Sequence, residues 1–335
     1  FYLRGIAKIG EMEEGKTGAY PEAAGLLERA LQIDPSSEVC EGLATLHYQA
    51  NNLGIEITPD NLDKVKFYVD KGLESRPDYF PLLVLQAKRE LLVGNTQQCI
   101  RLSAGLIMRD RLSFGIIHLL GVSLRHSGNY PLAIAVSRFH ANIDPDYYAR
   151  VNLARALFQS GQHDEAMAIF EECFQQHPEK YFARFFLARN MLMLGKFQES
   201  QKYASGLADG LNTRVLRLQA AAFRAKTSPF TVDGEMKAAA AADFDSALQL
   251  VELCSTVGDA QQSLQYFQLV LDKGWRAWSY FDWNPFLANL RKTDGYRRLR
   301  DAGMAELPAI RAEEQRIVRP VLVRLGIPPP TAPTR

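Results

Sequence analysis

YYARVNLARALFQSGQHDEAMAIFEECFQQHP, residues Tyr147 to Pro178, reads as two short amphipathic helices joined by a glycine. The first carries a small residue, Ala154, at its eighth position. Gly161 supplies the turn, the second helix places Ala166 opposite, and His177-Pro178 ends it. Small residues at a helix crossing let two backbones approach, a glycine permits the tight reversal between them, and a proline stops the second helix.

The pattern recurs outward from this stretch. Gly94, Gly128, Gly161 and Gly195 follow one another at intervals of 34, 33 and 34 residues. The eighth residues of the first helices are Ala87, Gly121, Ala154 and Ala188, and twelve residues after each comes Cys99, Ala133, Ala166 or Ser200. Large residues such as Leu120, Leu153, Phe170 and Leu187 would fill the layer shared with the next unit. No unit buries enough apolar surface alone, so the array must stack. Cys99 and Cys173 fall on small or core positions and read as buried small hydrophobes.

This pattern resembles the tetratricopeptide repeat, a helix-turn-helix unit of about 34 residues. The resemblance implies an all-α fold, a right-handed superhelical α-solenoid of about eight units. Their boundaries fall near residues 1–35, 36–78, 79–112, 113–146, 147–179, 180–212, 213–245 and 246–274. Enlarged turns are expected at NNLGIEITP and TSPFTVDG. Residues 275–325, with all three tryptophans (Trp275, Trp278, Trp283), read as an aromatic-rich helical cap on the last repeat. Within it RAEEQRIVRPVLVRLG predicts a last helix interrupted at Pro320, and residues 326–335 read as a disordered tail.

Composition narrows function. Lys plus Arg (39) nearly cancels Asp plus Glu (38), so there is no global field to hold DNA or an acidic membrane. No run of 18 apolar residues offers a membrane span. The four cysteines are widely scattered, without a C-x-x-C pair or zinc-ligand spacing. The absence of Met at residue 1 points to a fragment of a longer protein. Cytoplasm is favoured as the compartment, the periplasm if an upstream signal exists.

GEMEEGKT, Gly10 to Thr17, fits the phosphate-binding pattern G-x-x-x-x-G-K-[ST]. A working phosphate loop needs a strand before it and a helix from its lysine. Here YLRGIAKI occupies the place of a first helix, Pro21 follows five residues after Lys16, and Glu11, Glu13 and Glu14 would face a polyanion. The stretch reads instead as a lengthened inter-helix turn. There is no H-E-x-x-H, G-x-S-x-G or G-x-G-x-x-G, and His163 and His177 read as surface positions at a turn and a helix end. No enzyme, cofactor or metal is expected.

A narrower likeness rests on FYLRGIAKI, AAGLLERALQIDP and the closing W-x-x-W with NPFLANLRKTDGYRRL. Together these resemble the tetratricopeptide region of multidomain bacterial signalling proteins: ToxR-like winged-helix regulators, class III nucleotide cyclases and protein kinases. Membership would imply a docking or sensory array, or the regulatory part of a regulator or cyclase whose effector lies upstream, with dimerisation allowed.

In such an array first helices line the concave wall. Residues just beyond the small eighth position would face it: Lys88, Arg155 and Arg189, with Arg125 a turn further. His118, Tyr148, Val151, Phe158, Phe182 and Phe185 would neighbour them. Adjacent first helices stand about 10 Å apart, so Arg155 and Arg189 are expected to form a basic ladder for a protein or peptide carrying a carboxylate. The alternative is that these arginines pair within the array and the aromatics are core.

Overall fold

The computed structural model describes residues 1–13, 18–52, 59–109, 113–207, 210–225, 230–242 and 244–330. Its reversals are made where the sequence puts glycine. Gly94, Gly128, Gly161 and Gly195 have φ of 91°, 74°, 92° and 75°, a region that side chains with a Cβ avoid. Each turn is closed by backbone bonds, as where the Gln162 amide donates to the Leu157 carbonyl at 2.9 Å. At the crossings the small residues touch. Ser200 Oγ donates to the Ala188 carbonyl at 2.7 Å and Ser263 Oγ to that of Val251 at 2.9 Å.

All described regular structure is helical. Two compact units divide at Leu106/Ile107. The first contains α1 (Tyr2–Glu13), α2 (Ala19–Ile33), α3 (Ser37–Asn52), α4 (Pro59–Ser75) and α5 (Phe80–Leu92), and the division falls inside α6 (Thr96–Arg109). Its core is built from two clusters, one around Met12, Leu27, Leu43 and Leu46, the other around Cys40, Val65, Val69 and Leu82.

The second unit begins with α7 (Phe114–His126), α8 (Tyr130–Ile143), α9 (Tyr147–Gln159), α10 (His163–Gln176), α11 (Tyr181–Met193) and α12 (Phe197–Ala204). It continues through α13 (Leu211–Ala225), α14 (Gly234–Ala242), α15 (Phe244–Val257), α16 (Ala260–Asp272) and α17 (Trp278–Trp283). Two short 3₁₀ turns and α18 (Asp294–Leu325) complete it. Asp146, Asp259 and Thr293 cap α9, α16 and α18 by accepting backbone amides two or three residues into the helix. One apolar cluster runs from Tyr130 to Tyr296, and Cys99 and Cys173 are buried.

Two expectations are corrected. Gly10 to Glu13 are the last turn of α1 rather than part of a lengthened turn, and the remainder of GEMEEGKT lies outside the described residues. Helical backbone from Gly10 to Glu13 does not wrap these amides around a phosphate. The last helix is also uninterrupted: α18 continues through Pro308 and Pro320 for 32 residues. Both prolines lie on its exposed side, where water can satisfy the carbonyls they free. Tyr296, Gly303, Glu314, Val318, Val321 and Leu322 are buried on the other side. No helix among the described residues is long and apolar enough to cross a membrane.

Candidate partner-binding surface

Lys88 apart, the residues expected to line one wall lie within the second unit, where they separate into an interior set and an exposed set. Arg189 of α11 is 7% exposed. Its Nη2 donates to both oxygens of Glu252 on α15, at 2.6 and 2.7 Å, and to Tyr280 Oη at 2.9 Å. Glu252 also accepts from Tyr280 Oη, Asn284 Nδ2 and Gln219 Nε2. Burial opposes the Arg189 cation, but Glu252 and Tyr280 outweigh it and raise its pKa. Arg155 of α9 donates to both oxygens of Asp245 at 2.8 Å, and its guanidinium lies 4.6 Å from the Phe186 ring centroid.

Arg125 of α7 is 1% exposed. It donates to Gln159 Oε1 at 3.3 Å and bonds His126 Nε2 at 3.1 Å, with no carboxylate among these partners. Val151, Phe158 and Phe185 are buried core. Arg155 and Arg189 therefore do not form an open basic ladder. The cause is long-range: Asp245 and Glu252, both on α15, reach the arginines of α9 and α11 through their side chains.

The aromatic segment completes the closure. Trp275 and Phe244 pack on His126, with ring centroids 5.9 and 3.9 Å away, and the Arg276 amide donates to the His126 carbonyl. Trp283 lies 5.6 Å from Phe158 and 4.8 Å from His163, and its Nε1 donates to the Gln159 carbonyl. His163 is thus packed between aromatics rather than standing free at a turn. Trp278 and Phe281 pack on Phe267 of α16, with ring centroids 6.0 and 5.0 Å away.

The exposed set is aromatic. Phe114, Tyr148 and Phe182 are 39%, 50% and 43% exposed. Tyr148 and Phe182 are the second residues of α9 and α11, 34 residues apart, and Phe114 is the first residue of α7, one position earlier in its repeat. The Tyr148 and Phe182 rings stand 6.3 Å apart, edge to face, and Phe182 stacks at 6.5 Å on Phe186. Lys180 places its ammonium 4.6 Å from the Tyr147 centroid and 5.5 Å from that of Tyr148. His118 is half-buried nearby, bonded to Asn152 and edge-on to His140 at 5.5 Å. Lys88 belongs to the first unit; it is half-buried over the Tyr48 ring at 5.3 Å, and burial lowers its pKa.

Sequence reasoning missed Glu252, Asp245 and Tyr280, whose pairings span 63 to 91 residues and leave no periodic trace. It also missed Phe114, which stands one position off the register of Tyr148 and Phe182 and so leaves no periodic signal.

Residues 157–222 match the family model of the tetratricopeptide repeat. No curated protein matches the chain. Among solved structures, the chain is similar to a tetratricopeptide repeat protein from Parabacteroides merdae. That likeness has a TM-score of 0.52 and 15% identity, covering 81% of this chain and 98% of the other. Yeast Tom70 aligns with a TM-score of 0.47 and 16% identity over 92% of this chain and 62% of its own. Cut9 with Hcn1, from the APC/C, aligns at 0.47 and 15% over 92% and 59%. The likeness to the Parabacteroides protein is one of fold, an α-solenoid of paired helices.

Proposed function

We propose that this chain is a non-catalytic protein-interaction module that docks an extended segment of a partner along the aromatic edge Phe114–Tyr148–Phe182. The observation that carries this reading is the exposure of three large rings at the starts of three consecutive first helices, two of them, Tyr148 and Phe182, at equivalent positions. Water-exposed apolar surface in a row is unfavourable unless a partner covers it, and aromatic rings anchor protein interfaces at low entropic cost. The fold supports the reading, since stacked repeats present extended surfaces.

The partner's chemistry follows from the edge. Apolar side chains spaced to meet successive first helices would sit on the rings, and an acidic group would meet Lys180. This places the expected carboxylate contact on Lys180 rather than on Arg155 and Arg189, which are engaged inside the fold. In a longer signalling protein of the kind the sequence resembles, occupation of this edge would be the input to an effector domain.

Peptides selected from a random library against the full chain test the reading. They should be rich in apolar and acidic residues, and their affinity should fall by at least about tenfold in the Tyr148→Ala/Phe182→Ala double variant. A single anchoring aromatic is worth on the order of 2 kcal/mol, and 1.4 kcal/mol is about tenfold. Because both rings are exposed, the melting temperature should stay near that of the parent. Peptides that bind the double variant as tightly as the parent would sink the proposal.

A further inference from the structure

The polar seam inside the second unit does not balance its charge. Arg125, Arg155 and Arg189 supply three cations, while Asp245 and Glu252 supply two carboxylates. Glu252 is committed to Arg189, Tyr280, Asn284 and Gln219, and both oxygens of Asp245 are taken by Arg155. Arg125 is left with an amide oxygen and an imidazole nitrogen. Burial and the neighbouring Arg155 push its pKa down to about 9 against the attraction of Asp245, which it shares with Arg155, and it remains a cation at neutral pH. His126 cannot help: burial and the same arginines hold its pKa well below the ordinary value, so it is neutral.

Unsatisfied donors gather in the same place. Among the described residues Arg125 Nε, Arg155 Nε, Tyr130 Oη and Trp275 Nε1 are buried without a hydrogen-bond partner. Tyr130 lies within electrostatic reach of Arg125, and Trp275 packs on the His126 ring that Arg125 touches. All four are groups that donate. Water would satisfy their hydrogen bonds but not the charge, since Arg125 and Arg155 share the single Asp245 carboxylate, and a buried cation short of counter-charge is far costlier than a missing hydrogen bond.

We propose that this seam binds a small inorganic monoanion, chloride in a chloride-containing medium, beside Arg125. The Arg125 and Arg155 Nε–H groups, the Tyr130 hydroxyl and the Trp275 indole N–H are its donors. The side chain of Asp245 is 37% exposed, so the seam reaches solvent on that side and the ion exchanges with it. The anion completes three ion pairs in a row: Arg189 with Glu252, Arg155 with Asp245, Arg125 with chloride. The site does not depend on the aromatic edge or on any peptide.

Thermal unfolding of the full chain in sodium chloride against sodium gluconate, at matched ionic strength, tests the proposal. A ligand of the folded state raises Tm with the logarithm of its concentration, by about 4 °C at a hundred times its dissociation constant for a chain of this size. The wild type should gain this increment in chloride over gluconate. Arg125→Met, which removes the cation together with its need for an anion, should lose it. Should that variant fail to fold, Tyr130→Phe removes one donor with little change of shape and should weaken the chloride response several-fold. Crystals grown in bromide should give an anomalous peak among the four donors. Equal melting of the wild type in the two salts, an unchanged chloride increment in both variants, or crystals with no bromide at Arg125 would each overturn the proposal.

Discussion

Glu252 is the acceptor on which Arg189, Tyr280, Asn284 and Gln219 converge, and it is fully buried. Replacing it by alanine leaves the Arg189 cation in the interior with no opposite charge, which costs about 3–5 kcal/mol. Urea unfolding of Glu252→Ala should show a loss of that size. An exposed pair such as Arg316 with Glu313 should contribute far less when broken the same way, because water and salt screen it. His126 adds a pH dependence. Its folded pKa lies well below the unfolded value near 6.5, so the unfolded chain binds the extra proton as pH falls. Stability is therefore held above pH 6.5 and declines below it, approaching about 1.4 kcal/mol per pH unit for this one group. His140 and His163 are shifted in the same direction by burial and steepen the decline. Stability measured between pH 7 and 5 should fall, and His126→Gln should remove roughly one proton from the slope. A slope unchanged by that substitution would show that His126 is not what titrates.

At the scale of elements, what was legible in the sequence is what repeats within about 34 residues. Gly121 could be assigned to a helix crossing from its spacing alone, and a Cβ there would meet Ser137 Oγ at 2.7 Å. Tyr148 and Phe182 could be named as wall residues for the same reason. The fates of Arg155 and Arg189 could not, because they depend on Asp245 and Glu252 across 90 and 63 residues, and ion pairing at that separation has no period. The continuity of α18 through Pro320 was hidden as well, since it turns on which side of the helix faces water. The turn glycines separate these local and long-range determinants. Gly161, at φ 92°, has open space where a Cβ would go, so Gly161→Ala should cost only the left-handed backbone penalty, about 1–2 kcal/mol. Gly128, at φ 74°, would put its Cβ 2.6 Å from the Arg276 carbonyl oxygen and 2.7 Å from Ala277 Cα. Gly128→Ala should therefore be the more destabilising of the two, and should alter tryptophan fluorescence because Trp275 and Trp278 flank the displaced backbone. Equal losses in chemical denaturation, with unchanged fluorescence, would contradict that close approach.

At the scale of the second unit, α18 is a brace across the fold rather than a cover on its last repeat alone. Its N-terminal half does the work of a cap: Tyr296 packs 5.2 Å from Phe267, and Gly303 admits the Trp278 ring where a Cβ would be only 2.2 Å away. Its C-terminal half acts elsewhere. Glu314 is fully buried, accepting from Asn129 Nδ2 at 2.7 Å, from Arg311 Nη1 at 2.7 Å and from the Ser127 hydroxyl, while Arg311 also donates to the Ser127 carbonyl at 2.7 Å. These bonds join residues some 185 positions apart at the turn between α7 and α8. A terminal cap that loosened would free only α15 and α16, whereas a brace that loosened would free the α7–α8 turn. Glu314→Gln keeps the size of the side chain and removes its charge, so it should cost about 1–3 kcal/mol, the range for weakened charged and buried hydrogen bonds. Amide hydrogen exchange then locates the loss. Faster exchange at residues 124–133, with α16 protected as in the parent, is the outcome a brace requires, and faster exchange confined to α16 would reduce α18 to a cap.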